Sequence, residues 1–186
     1  MSATRTPVRR YSRADVDLHD ACRKGDLAEV KRIQDTGRGD VNSRDGVGRT
    51  PLMEAARLGH RDVVKLPVVR GADVSLVDDD GNNILHYACV RGDRKTVELV
   101  LSLGALDINS RGPGNRTPIM EVAGRGCRDL VELFVKRGAD VSLVSDDGDN
   151  ILHWAYVGGD RMTVNVVSID ARTSNGDTAA DVVKGK

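Results

Sequence analysis

The sequence predicts an all-α solenoid of stacked helix-turn-helix units joined by β-turn or hairpin loops, with about four full units and a partial capping unit at each end. Three observations predict it. Residues 71–97, GADVSLVDDDGNNILHYACVRGDRKTV, recur at 138–164 as GADVSLVSDDGDNILHWAYVGGDRMTV, identical at 21 of 27 positions. The 67-residue offset divides again, because TPLMEAARLGH at 50, NILHYACVRGD at 83, TPIMEVAGRGC at 117 and NILHWAYVGGD at 150 stand 33, 34 and 33 residues apart. Turn formers, helix caps and helix-ending glycines keep fixed offsets within each unit. A period in this range marks an array whose single unit cannot bury its own apolar face, so that stacking supplies the core.

Taken in order, residues 1–15 (MSATRTPVRRYSRAD) form a basic segment without the apolar stretch of a secretory signal, expected as a flexible tail. The repetitive region follows as 16–44, 45–77, 78–111, 112–144, 145–172 and a partial unit at 173–186. The first unit starts its phrase at Leu18 without a preceding turn, and Arg23, Lys24, Glu29, Lys31 and Arg32 suit the polar outer face that a terminal unit needs. In the full units, Gly48, Gly81 and Gly148 follow Asp- or Asn-rich turn residues. Thr50 and Thr117 each precede a proline, which combines an N-cap with the proline that suits a first helical turn. A short helix then runs to Gly59, Gly92, Gly126 or Gly159. A second helix carries adjacent apolar pairs such as Val63-Val64 and Leu130-Val131, and ends at Gly71, Gly104 or Gly138. Leu106 is the one extra residue in the 34-residue step.

The pattern breaks twice. Pro67 lies deep in a second helix, where it removes a backbone hydrogen bond and clashes with the preceding turn at a cost of about 3 kcal/mol. A kinked, locally weak helix is expected there. After Val167 the five residues LSLGA of the sister unit have no counterpart, read as a deletion or equally as a loop not represented in the sequence. Either reading leaves a loosely capped end over 164–173.

Composition excludes several classes of function. Lys and Arg total 28 and Asp and Glu total 28, so no global field draws nucleic acid or an anionic membrane. No apolar run approaches the roughly 20 residues that span a bilayer. One Phe, one Trp and three Tyr leave the core to Val, Leu, Ile and Ala. Cys22, Cys89 and Cys127 show no CxxC spacing and read as reduced, buried thiols of a cytosolic or nuclear protein. His86 and His153 stand 67 residues apart with no third ligand at metal spacing, so no metal and no cofactor are expected. No cysteine has a histidine at an activating distance in sequence, and no catalytic residue is assigned. GPGNRT at 112 reads as a turn rather than a phosphate loop. Two RGD triplets (Arg38 and Arg91) and the triplet Asn115-Arg116-Thr117 carry no function in an intracellular setting, and RRYS, ending at Ser12, would suit a basophilic kinase.

The unit resembles the ankyrin repeat, whose phrase is a turn, then T-P-L-H-x-A, then a second helix ending in G-A-D. The resemblance covers roughly residues 16–186. It implies that His86 and His153 hydrogen-bond the neighbouring turn. It implies too that another protein binds the turn tips and the exposed positions of the first helices, which line a concave face. Those positions are Val47, Arg49, Arg57 and Leu58, then Asp79, Asp80, Asn82, Val90 and Arg91. Arg111, Arg116 and Arg125 follow, then Asp146, Asp147, Asp149, Val157 and Gly158. The tips alternate basic and acidic, and the twin segments differ at Asn82/Asp149 and Arg91/Gly158 on this face. The implied function is a non-catalytic, monomeric, intracellular interaction module, cytoplasmic or nuclear, binding neither nucleic acid nor membrane. The alternatives are a stoichiometric inhibitor of a kinase or other enzyme, and the repeat region of a larger scaffold, channel or enzyme.

Overall fold

The computed structural model describes residues 11–104 and 106–159. The helices are α1 (Arg13–Lys24), α2 (Leu27–Asp35), α3 (Pro51–Leu58), α4 (Arg61–Val69), α5 (Ile84–Arg91), α6 (Arg94–Leu101), α7 (Pro118–Gly124), α8 (Arg128–Lys136) and α9 (Ile151–Val157), with one 3-10 turn at Pro113–Asn115. Among the described residues the only β pairing is the isolated bridge between Val144 and Asn150. The odd-numbered helices form one row, α1 on α3, α3 on α5, α5 on α7 and α7 on α9. The helices α2, α4, α6 and α8 form the second row behind them. This is the all-α repeat stack that the period predicts.

Each first helix is set by its ends. Thr50 accepts from the Met53 backbone N–H at 3.3 Å, and Pro51 occupies the first helical position, where no N–H is missed. In α5 and α9 an asparagine takes the threonine's place, and Asn83 accepts from Leu85 N–H at 3.0 Å and His86 N–H at 3.2 Å. Thr117 is the looser cap, since its buried hydroxyl has no hydrogen-bond partner. Gly59 and Gly92, at φ 77° and 71°, stop α3 and α5 in the left-handed conformation that side-chain-bearing residues avoid.

The core repeats with the chain. Leu18, Leu52, Leu85 and Ile119 are buried on the first helices, and Val30, Val64, Val97 and Val131 on the second. Ile33, Val100 and Phe134 form a further buried row. Position 67 belongs to that row by spacing, and α4 runs through Pro67 to Val69. A proline there supplies no N–H to the Val63 carbonyl, so α4 lacks one of its interior hydrogen bonds.

The N-terminal boundary differs from expectation. Helix α1 begins at Arg13, inside the segment read as a tail, because Ser12 and Asp15 close a reciprocal capping box. Cys22 and Cys89 are buried as expected, but Cys127 is only half-buried and stands at the N-cap of α8. Residues 1–10, the shortened unit after Val167 and the partial unit at 173–186 lie outside the described residues.

Candidate protein-binding face

Among the described residues four tips project from the stack, at 45–49, 78–82, 112–116 and 145–149. Asp45 N–H donates to Arg49 O at 2.9 Å, Asp78 N–H to Asn82 O at 2.9 Å, Gly112 N–H to Arg116 O at 2.9 Å and Ser145 N–H to Asp149 O at 2.9 Å. The first two tips are tightened by a carboxylate, since Asp45 Oδ1 accepts from Val47 and Arg49 N–H and Asp78 Oδ1 from Asp80 and Asn82 N–H. Neighbouring tips are tied by backbone in two places, Asp79 N–H to Val47 O at 3.2 Å and Asp146 N–H to Gly114 O at 2.9 Å. The residue that would make the matching bond between the second and third tips is Pro113, which has no N–H. Among the described residues no backbone hydrogen bond joins 78–82 to 112–116.

The histidines sit under this frame. His86 Nε2 lies 3.3 Å from the Arg116 carbonyl, so it carries a proton and donates. Its Nδ1 lies 3.3 Å from the Asn83 N–H and 2.9 Å from Asn83 Oδ1. His19 reaches the Ser43 carbonyl at 3.2 Å, just before the first tip, and His60 the Arg23 carbonyl at 3.1 Å in the unit before its own. Burial holds the pKa of His19 and of His86 below the ordinary 6.5. Both rings are therefore neutral in the fold while the unfolded chain begins to take protons near pH 6.5. Stability is complete above that pH and is lost as the pH falls toward the depressed folded values. Thermal melts should thus show a midpoint that drops on acidification below about pH 6.5, with a shallower slope in His86→Gln; an unchanged slope would assign the effect elsewhere.

The arginines expected on the face divide into two groups. Arg49 contacts Asp45 at 3.1 Å and the buried Glu54 at 2.8 Å, and Arg57 holds the other Glu54 oxygen at 2.9 Å. Arg116 contacts Glu121 at 3.3 Å and lies over the Trp154 ring, 5.2 Å from its centroid. Arg111 donates to the carbonyls of Asn115 at 3.0 Å and Val144 at 2.8 Å. Asp79 is held by Arg44 at 3.1 Å, and Asp146 by the Asn115 amide. Most of the tip charges are thus held by partners in their own unit, with Arg44–Asp79 the ion pair between neighbouring tips among the described residues. Asp80, Arg91, Arg125 and Asp147 are exposed and make no side-chain hydrogen bond or ion pair among the described residues. Val47 and Val90 are exposed beside them, while Leu58 is half-buried. Asp149 is half-buried and its N–H donates to Ser145 Oγ at 3.2 Å.

Two positions expected on the face also have structural roles. Asn82 donates to both Asp78 oxygens, at 3.4 and 3.1 Å, and Asp78 also accepts from the Tyr87 hydroxyl at 2.5 Å. Burial, with this bond, raises the Tyr87 pKa, so the hydroxyl keeps its proton and donates. The twin segment changes all three together, to Ser145, Asp149 and Trp154. Half of the six differences between the twins therefore belong to one hydrogen-bonded set. Gly158 is the other case. A side chain there would place its Cβ 2.3 Å from the Ala123 carbonyl oxygen and 2.7 Å from the Gly126 nitrogen. The glycine permits α9 to close onto α7. Gly124 serves the same contact, since an added Cβ would meet the Trp154 ring at 3.1 Å.

A family model described as ankyrin repeats in three copies matches residues 18–112, and one for a single ankyrin repeat matches 114–146. The chain belongs to the ankyrin-repeat family. The ankyrin-repeat chain is similar to the "Probable palmitoyltransferase AKR2" of Saccharomyces uvarum, 39% identical over a match covering 78% of this chain and 25% of that protein. It is 32% identical to the "Tyrosine-protein kinase HTK16" of Hydra vulgaris over 73% of this chain and 18% of the kinase. With "Neurogenic locus notch homolog protein 1" of Mus musculus it shares 31% identity over 61% of this chain and 4% of that protein. The ankyrin match thus spans a quarter or less of each of these relatives. No group of three metal-ligating side chains occurs among the described residues, and no described helix is long and apolar enough to cross a membrane. Free Cys22 and Cys89 are poor nucleophiles, because burial pushes the Cys22 thiol up to about 12 and the Cys89 thiol up as well.

Proposed function

We propose that this ankyrin stack binds another protein through the row formed by Val47, Asp80, Val90, Arg91, Arg125 and Asp147. The observation that carries the reading is the division of charge on the face. Most tip charges are tied into the frame, whereas Asp80, Arg91, Arg125 and Asp147 stand exposed and unpaired beside exposed valines. Such a surface combines apolar contact with fixed charges that set orientation and register. Protein binding is also what the ankyrin family uses its stacked faces for, and free buried thiols suit a reducing compartment.

The test is kinetic. Once a partner is in hand, reversing Asp80, Arg91 and Arg125 together should slow association about tenfold or more at low salt and alter its salt dependence, with far-UV helicity unchanged. Arg49 and Arg116 are left out of this variant because their reversal would strike Glu54 and Trp154 contacts inside the frame. Binding that survives the triple reversal but is abolished by Lys136→Glu, on the opposite row, would place the interface on the second helices.

A second reading has its own support. The relatives carry their matching repeats within much longer chains, which favours a role as the recognition segment of a larger polypeptide. Immunoblotting of source cells decides it, by a band near the 20.1 kDa of this chain or one far above it.

A further inference from the structure

We propose that Ser12 is a phosphorylation site and that its modification opens the first repeat. Three observations meet at this residue. The sequence Arg9-Arg10-Tyr11-Ser12 places arginines two and three positions before the hydroxyl, the pattern that an acidic kinase groove selects. Ser12 is partly exposed on extended backbone, φ −88° and ψ 164°, the form in which a serine enters such a groove. Its hydroxyl is also the hinge of the first repeat's closure. Ser12 Oγ donates to Asp15 Oδ2 at 2.7 Å, and Ser12 N–H donates to the same oxygen at 2.8 Å. The other oxygen, Oδ1, accepts from the Asp40 N–H at 2.8 Å, which ties the start of α1 to the loop after α2. Asp15 is buried, at 1% exposure.

In the modification, Ser12 Oγ attacks the terminal phosphorus of a nucleoside triphosphate held by a basophilic serine kinase. The Oγ–P bond forms, the bond from that phosphorus to the bridging oxygen breaks, the nucleoside diphosphate leaves, and the hydroxyl proton passes to the kinase's base. The esterified Oγ can no longer donate to Asp15. The phosphate places about 1.5 to 2 negative charges directly beside a buried carboxylate, where like-charge repulsion is little screened. Among the described residues the surroundings offer partial relief only. The groove around Ser12 holds Arg13, Arg32 and Arg38 together with Asp17. Arg13 is engaged by Asp17 at 3.1 Å and Arg32 by both oxygens of Glu29, at 2.7 and 2.6 Å. The helix N-terminus favours an anion, but its first-turn donor Asp15 N–H already faces Ser12 Oγ at 3.1 Å. Repulsion from Asp15 therefore outweighs the new attractions, and the clasp to Asp40 is released.

The experiment uses the full chain, ATP and the catalytic subunit of cyclic-AMP-dependent kinase, with tandem mass spectrometry and hydrogen exchange as readouts. One phosphate is expected on Ser12, absent in Ser12→Ala. In the Arg9→Ala/Arg10→Ala variant, which keeps the Ser12 cap, incorporation should be slower by about tenfold or more. Amides of residues 15–24 and of Asp40 should exchange about tenfold faster in the phosphorylated chain, with α5 to α8 unchanged. No incorporation, or incorporation elsewhere, overturns the site. A phosphate on Ser12 that leaves α1 exchange unchanged or slower overturns the opening.

Discussion

Phe134→Ala is expected to lower the stability of the chain by about 3–5 kcal/mol. Phe134 is the one phenylalanine of the sequence and is fully buried on α8. It stands in the row whose other buried members are the smaller Ile33 and Val100. Cutting it to Ala removes the largest buried side chain from the place where α8 meets α6 and α7. The loss of transfer energy is joined by the cost of a cavity, since rigid helix rows on both sides limit collapse. For a domain of this size the thermal midpoint should fall by roughly 10 °C, read by calorimetry. Because each repeat touches only its neighbours, exchange should rise most across 106–146 and least in α1 and α2. A fall of less than about 1 kcal/mol would mean that the helices close over the gap.

The second large effect is expected from Gly158→Arg, which restores the residue of the twin segment. By the logic of the duplication this is a return to a working sequence. The structure predicts damage instead, about 2–3 kcal/mol or more, because the first side-chain carbon would meet backbone atoms of Ala123 and Gly126. Backbone cannot rotate aside as a side chain does. Gly158→Ala should capture most of the loss, since the clash lies at Cβ, and urea melts of the two variants provide the comparison. If Ala were neutral and only Arg harmful, the cost would arise from the guanidinium and not from the close approach of α9 to α7.

These two residues show where sequence reading stops. The period, the cap at Thr50 and the glycine stops were legible because each rests on a local backbone rule repeated at fixed offset, whereas Thr117, read as an equal cap, leaves its hydroxyl without a partner, and the asparagine caps at Asn83 and Asn150 emerged only in the structure. The bond of His86 to the neighbouring turn was legible through the family resemblance, while the contacts of His153 within the described residues are with Asn150 of its own cap. The contact face was read by position alone, and position does not tell a free arginine from one already paired. Arg116 has a partner at long range in the stack, Trp154, that only the packing of α9 on α7 brings near, while Arg49 pairs with Glu54 across the cap of its own helix, a contact that position on the face does not reveal. The joint change of Asp78, Asn82 and Tyr87 could have been noticed, since three of six differences fall within ten residues. What the sequence does not display is that one carboxylate touches both other side chains. Gly158 read as a surface change because a missing side chain leaves no trace of the space it vacates. The cap at Ser12 lay inside a segment whose basic composition suggested a tail, and the S-R-A-D phrase that forms it carried the available signal.

Pro113 gives the stack a grammar of growth. Among the described residues it breaks the tip-to-tip ladder once, so these tips are laced as a couple, a gap and a second couple. The unit that can be copied without leaving a lone donor is therefore the couple, and the 67-residue spacing of the twin segments is its length. An array lengthened by inserting one such cassette would keep every tip engaged with the partner it already has. Insertion of a single 33-residue unit would strand one tip and shift the register of all that follow. Designers seeking longer versions of this scaffold would do well to add repeats two at a time.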